Sequence, residues 1–406
     1  MALRRMIAGL GLSLLFGAGP ALASGGPDLD VLFIGSLTGS DANQAIDSLH
    51  GFRLGAKDLG GRLGGVEFTL TALDDRRDPN LARSLMEKAL KEQKPQFVLL
   101  SSEPHSAELL TQLAAASHVF LINIGGITGN LSGKDCSSYL FSLSGLGDTA
   151  HEQMGSYLQG QGVTSVTAVL PPNPGAQTAL NAFKRSYRGN LTELTSRRGE
   201  MTFESQLSLI KQIKPEGVYM LYGGGMAASF IRDYAQAGLK GEIPLFAAGS
   251  VMEQPLLAGA APDSQDILSL GIWSEDADSP SNRRLMAEFE GEYGRTPSQY
   301  AALGYDAALL LDSAMRGSNK SYNNDEAVRT ALRRADFTST RGAFRFDTNQ
   351  FPIQNYVLRA TQKDNRERVI NSQRVVYARD VREGRATECP MRWVVEPLPP
   401  PPQVKH

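Results

Sequence analysis

From residue 31 onward the chain alternates short apolar runs with amphipathic stretches, the pattern of a parallel sheet covered by helices. Residues 31–35 read as a first strand, 46–59 as a helix, and 66–74 as a strand in which Val66, Phe68 and Leu70 alternate. Asp78 as N-cap and Pro79 at the first helical position open a helix over 79–92. A buried strand at 97–100, a helix at 106–116 and a strand at 119–123 follow, and then a glycine-rich loop.

The pattern restarts at Thr149, after a connection of no periodicity, Ser144-Gly145-Leu146-Gly147-Asp148. Strands at 163–170, 191–195, 218–221 and 245–248 alternate with helices at 177–187, 203–213 and 226–237; Phe203, Leu207 and Ile210 mark one helical face. Helices at 282–293, 297–315 and 325–334 come later, then strands near 342–346 and 354–359. A chain of 406 residues exceeds what one hydrophobic core usually supports, and no short-period repeat points to a solenoid. The expectation is an α/β protein of two similar halves. A proline-rich tail, 396–406, is expected to be disordered.

Arg4 and Arg5 precede an apolar run from Met6 to Phe16 and a small-residue stretch ending Ala21-Leu22-Ala23. That is the pattern of a signal peptide over 1–23, cleaved to leave Ser24 first, and its apolar core is too short to span a bilayer. Residue 24 is Ser and not Cys, so no lipid anchor is expected, and the chain is placed in the periplasm as a monomer. The 41 basic and 43 acidic side chains nearly balance without a basic block, which argues against nucleic acid as a partner. In an oxidising compartment the two cysteines, Cys136 and Cys389, are expected to form one disulfide.

Catalytic chemistry is missing. The five histidines are scattered without metal-ligand spacing, and there is no G-x-S-x-G elbow. Gly129-Asn130-Leu131-Ser132-Gly133-Lys134 is one residue short of a phosphate loop, and Gly223-Gly224-Gly225 lacks the dinucleotide spacing, although it can bring backbone N–H groups to a ligand at a helix start. Asp74 and Asp75 are neighbours on a strand and point to opposite faces, so they read as part of a solvated charged turn with Arg76, Arg77 and Asp78. No enzymatic activity, cofactor or metal is expected.

Several segments, in order and spacing, resemble the type I periplasmic binding proteins of branched-chain amino acid ABC transporters. These are Gly35-Ser36-Leu37-Thr38-Gly39 with Gly51 beyond it, Asp74-Asp75-Arg76-Arg77-Asp78-Pro79, Ala237-Gly238-Leu239-Lys240, Gly304-Tyr305-Asp306-Ala307-Ala308 and Arg341-Gly342-Ala343-Phe344-Arg345-Phe346-Asp347. The resemblance implies two Rossmann-like lobes, 28–143 with 273–346 and 144–272 with 347–395, joined by a three-segment hinge near 142–145, 270–273 and 346–351. It also implies a small-molecule ligand held between the lobes, and permease subunits as partners. Ligands of open parallel sheets bind beyond the carboxyl ends of the strands, which nominates Ser36, Leu37, Gln44, Ser102, Pro104, His105, Gly125, Gly126, Ile127, Tyr222, Gly223, Gly249 and Ser250. Pro104 and His105 align with serines that hold an amino acid carboxylate, Ile127 with a threonine, Gly249 with the acid for the amino group and Gln44 with an aromatic side chain. An apolar or aromatic carboxylate is therefore expected over a free amino acid, and the segment 351–359 with the two cysteines resembles a branch associated with aromatic acids. A ligand sensor or cell-wall enzyme activator on the same fold is the alternative.

Overall fold

In β1 (Leu29–Gly35) every residue but Asp30 is buried, because neighbouring strands and helices close both of its faces. The computed structural model describes residues 29–39, 42–260 and 263–393; the expected signal segment and the proline-rich tail lie outside them. The first lobe continues with α1 (Ala42–Asp58), β2 (Arg62–Leu63), β3 (Val66–Asp74), α2 (Pro79–Glu92), β4 (Phe97–Ser101), α3 (Pro104–Ser117), β5 (Phe120–Asn123), α4 (Gly129–Ser132) and β6 (Leu140–Ser142). Its sheet runs β2-β3-β1-β4-β5-β6, parallel except for the β2–β3 hairpin.

The second lobe holds α5 (Gly147–Gly160), β7 (Ser165–Leu170), α6 (Pro174–Ser186), β8 (Asn190–Thr195), α7 (Glu204–Ile213), β9 (Gly217–Met220), α8 (Gly224–Gln236), β10 (Leu245–Ala248), α9 (Leu256–Ala260) and β11 (Leu268–Gly271). The chain then returns with α10 (Pro280–Tyr293), α11 (Gln299–Gly317) and α12 (Asp325–Arg334), whose buried faces join the first lobe's cores. It ends in β12 (Arg345–Phe346), β13 (Pro352–Lys363) and β14 (Val369–Val381). The second sheet is β12-β13-β11-β10-β9-β7-β8, with β14 on β13 and the last three strands antiparallel. Phe346 belongs to both halves: its strand pairs with β13 while its ring is buried in the first lobe's core.

The period of two along a strand sends alternate side chains to opposite faces. Val31 and Phe33 of β1 enter the core under α1, α11 and α12, whereas Leu32 and Ile34 enter the core under α2 and α3. Helices α1 and α11 touch backbone to backbone. A Cβ on Gly51 would lie 1.9 Å from the Ala301 carbonyl oxygen, and one on Gly304 would lie 1.9 Å from that of Ser48. Two of the motif glycines are thus spacers.

Buried polar groups tie the crossovers. Asp306 accepts from Ser339 Oγ, the Thr340 N–H (2.7 Å) and Arg341 Nε, while Arg341 Nη1 donates to the Leu143 carbonyl at 3.1 Å. Gln350 Nε2 donates to the Leu140 carbonyl at 2.7 Å. The disulfide joins Cys136 and Cys389 with their Cα atoms 5.7 Å apart, fastening the segment after β14 to the first lobe. Trp393 on that segment packs on the first lobe's core, and Arg333 lies 5.1 Å over its ring. Among the described residues no helix is long and apolar enough to cross a membrane.

Candidate functional site

Strand ends decide which loops can meet. In the first sheet β3, β1, β4 and β5 are consecutive, so the loops after their carboxyl ends converge. They enclose a cavity of about 160 Å³ lined by Ser36, Gln44, Ala45, Arg77, Ser101, Ser102, Glu103, Pro104, Gly125 and Gly126. Six of the nominated residues are therefore brought together: Ser36, Gln44, Ser102, Pro104, Gly125 and Gly126.

Glycine is required where two of these loops abut. A Cβ on Gly125 would lie 2.6 Å from the Ser102 backbone nitrogen, and one on Gly126 would lie 2.9 Å from the Pro104 ring. The Gly126 N–H donates to the Ser102 carbonyl at 2.9 Å, locking the pair. The hydroxyls form a chain beneath the cavity: Ser36 Oγ and Ser102 Oγ are 3.4 Å apart, and Ser102 Oγ donates to Ser106 Oγ at 3.1 Å.

Asp75 is a correction to the sequence reading. It is fully buried, not part of a solvated turn, and its Oδ1 accepts from Ser36 Oγ at 2.8 Å and from the Arg77 N–H at 3.0 Å. Both donors serve Oδ1; Oδ2 is buried with no hydrogen-bond partner in the protein. Its neighbour turns the other way, as strand pleating demands. Asp74 accepts from the Leu37 N–H and from Thr38 Oγ1; burial alone would raise its pKa, but these bonds and the Arg76 N–H hold it below the usual carboxylate range. The two acids thus shape both the Ser36–Gly39 loop and the turn carrying Arg77.

Arg77, Ala45, Ser101 and Glu103 line the cavity without having been nominated. Arg77 was hidden in the charged turn after β3, but the sheet order that places β3 beside β1 brings its side chain to the site. Glu103 occupies the N-cap position of α3 yet makes no capping bond, unlike Asp78 and Asn173, which cap α2 and α6. Its Oε1 is buried and has no hydrogen-bond partner in the protein.

The remaining nominated residues do not line this cavity. Ile127 packs in the core under α2 and α3 because its side chain turns under the loop, and Leu37 is held by its backbone and packs on the other core of that lobe. His105 is exposed on α3, its Nδ1 3.3 Å from Glu108 Oε2. Tyr222 is fully buried in the second lobe, its ring 4.9 Å from Phe203 and 5.3 Å from Phe230, and burial pushes its hydroxyl up to about 12. Gly223 is the exposed N-cap of α8, followed by Gly224 at φ +53, a conformation that disfavours side chains.

Gly249 is sealed by packing. A Cβ there would lie 2.1 Å from the Leu270 carbonyl oxygen, so no acidic side chain fits. Its own carbonyl accepts from Arg359 Nη2 at 2.8 Å, and the same guanidinium holds Glu253 Oε1 at 2.9 Å and the Trp273 carbonyl at 2.7 Å. Glu253 Oε2 accepts the Gln299 N–H at the start of α11 (2.8 Å), and Tyr300 OH reaches the Ser250 carbonyl at 3.4 Å. Both Glu253 oxygens are thus committed, one to Arg359 and one to the start of α11.

Beside this two-lobed fold with a cavity at the strand ends, a family model described as periplasmic binding protein matches residues 29–366. The chain belongs to the periplasmic binding protein family. Among proteins similar to this periplasmic binding protein, the Leu/Ile/Val-binding protein homolog 6 of Brucella melitensis is 25% identical over 212 residues, 50% of this chain and 54% of the relative. The chain thus spans about half the length of the curated relatives it matches. A solute-binding protein of an ABC transporter from R. palustris, solved in complex with benzoate, is 24% identical with a TM-score of 0.76, covering 87% of this chain and 97% of that one. Another, from Rhodopseudomonas palustris BisB5 in complex with 3,4-dihydroxy benzoic acid, is 20% identical with a TM-score of 0.76, covering 88% and 98%. These likenesses concern the fold.

Proposed function

We propose that this chain is the solute-capturing component of an ABC importer, working in the periplasm as a monomer after removal of residues 1–23, and handing a small organic carboxylate to permease subunits. The lobes 28–143 with 273–346 and 144–272 with 347–395 move as two bodies, and the ligand stabilises the shut form. The observation that carries the reading is the composition of the first lobe's cavity. Arg77 is the only cation among the described residues lining it, and a guanidinium is suited to a carboxylate.

A free α-amino acid needs an acid beside its ammonium, since an uncompensated buried charge costs several kcal/mol. In the second lobe the aligned position, Gly249, is closed to any side chain, and Glu253 is neutralised by Arg359, which leaves Glu103 as the one acid among the described residues lining the cavity. The benzoate and dihydroxybenzoate bound by the structural neighbours fit this preference; the Leu/Ile/Val-binding homologues of Brucella stand for the opposite one. The test is a thermal-shift screen of ligand-stripped, refolded protein against benzoate-like and cinnamate-like acids beside leucine, valine and glutamate, with calorimetry on hits. Binding of an aromatic acid ahead of leucine is expected. Micromolar or tighter leucine with no response to any aromatic acid overturns the preference.

A further inference from the structure

Among the described side chains lining the cavity, one carries a buried polar atom with no bond in the protein. Glu103 Oε1 is buried without a protein partner, on a side chain that lines the same cavity. A buried carboxylate oxygen is expensive to leave unbonded. It stands at the N-cap of α3, where short side chains such as Asp and Asn cap, and its longer side chain accepts no helix N–H. The adjoining Pro104 at the first helical position removes one donor there. The neighbouring hydroxyls are spoken for: Ser101 Oγ donates to Ser48 Oγ at 3.0 Å, Ser102 Oγ to Ser106 Oγ, and Ser36 Oγ to Asp75.

We infer that Glu103 is a specificity residue that reads a hydrogen-bond donor on the ligand, so that the solute carries a hydroxyl or amino group as well as the carboxylate. The inference rests on the carboxylate reading above and narrows it from organic acids in general to donor-bearing ones. An unsubstituted aromatic acid leaves the Glu103 oxygen buried and unmatched when the lobes shut, and a donor-bearing one satisfies it. Sites built to bond a ligand group reject the analogue lacking it more strongly than apolar pockets reject a missing methylene. A hydrogen bond to a charged acceptor corresponds to a preference of roughly tenfold or more.

The experiment compares matched ligands, so that any effect of substitution on folding cancels. Calorimetry on the ligand-stripped full chain measures benzoate, its 2-, 3- and 4-hydroxy isomers, 4-aminobenzoate and leucine against wild type, Glu103→Ala and Glu103→Gln, each first shown to unfold cooperatively. At least one donor-bearing acid is expected to bind roughly tenfold or more tightly than benzoate in the wild type, with the ratio falling to within about twofold in Glu103→Ala. Glu103→Gln, which keeps an acceptor without the charge, is expected to lie between. Equal binding of benzoate and every donor-bearing acid, or a preference unchanged by Glu103→Ala, overturns the inference and leaves the carboxylate reading standing. If leucine is the tight ligand and loses its affinity in Glu103→Ala, the donor-reading role holds and the preference for non-amino acids falls. If nothing in the panel binds the wild type, both are overturned.

Discussion

Replacing Arg359 by methionine removes the one cation that reconciles the second lobe's loops with the crossover. The side chain is fully buried and donates to Glu253, Gly249, Trp273 and Ser269, the last at 3.3 Å. Removing one partner of a buried ion pair leaves the other charge uncompensated, at about 3–5 kcal/mol. Burial already raises the pKa of Glu253, and the attraction of Arg359 is what opposes that rise. In Arg359→Met the acid must take up a proton to stay inside. A folded-state pKa raised above the unfolded value means stability that is present at low pH and lost as pH rises, so the deficit against wild type is expected to widen from pH 5.5 to 8. The double variant Arg359→Met/Glu253→Gln deletes the orphaned charge and keeps an acceptor for the Gln299 N–H. It should recover about 1–3 kcal/mol of the loss, the remainder reflecting the two carbonyls left unpaired. Urea unfolding followed by tryptophan fluorescence measures this, with unchanged m-values showing that the unfolding reaction is the same. A single variant within about 1 kcal/mol of wild type, or a double variant no more stable than the single, refutes the reasoning.

Gly249→Ala forces a Cβ against the Leu270 carbonyl and is expected to cost about 1–3 kcal/mol by overpacking, read as a lowered urea midpoint. Glu275 is buried beside Glu253, and burial first, then that like charge, raises its pKa to about 8. Its contribution is full below the unfolded carboxylate value and lost as pH rises through 8, so Glu275→Gln should flatten the wild-type fall in melting temperature across that range. His151 is pushed down to about 4 by burial, so its contribution is full above its ordinary value and lost as pH falls from there toward 4; His151→Gln should narrow the acid side of the stability curve less steeply than wild type. Cys136→Ser with Cys389→Ser opens a link across 253 residues of sequence and is expected to cost about 2–5 kcal/mol, while a thiol titration of unreduced, denatured wild type should find no free thiol among these two.

Where local chemistry sets an element, the sequence carries it. Asp78 and Pro79 delimit α2 at 79–92, and the charged first and last turns of α12 place it at 325–334. The β6 strand, Leu140-Phe141-Ser142, and β11, Leu268-Ser269-Leu270-Gly271, escape notice because polar or glycine residues interrupt them, whereas the equally short β9 and β10 show as apolar runs. The long β14 is half-exposed along its length and studded with Arg374 and Arg379, so its apolar signal is diluted; without its partner, β13 reads as 354–359 and not Pro352–Lys363. In the site, the loops after β1, β4 and β5 are legible from the strand-end rule. Arg77 is not, because its place depends on the sheet order that sets β3 beside β1; Glu103 falls in the legible β4 loop, but its unbonded oxygen shows only in three dimensions. Asp75 illustrates the same limit: the pleat correctly separates it from Asp74, but only the three-dimensional neighbours Ser36 and Arg77 say that it is buried.

Lobe closure over a carboxylate is tested most directly by small-angle scattering on the ligand-stripped protein with and without a saturating acid identified by calorimetry. A smaller radius of gyration and a shortened maximum dimension are predicted on binding, with Arg77→Ala losing the compaction at the same ligand concentration. A scattering profile unchanged at saturation, or compaction undiminished in Arg77→Ala, contradicts the account.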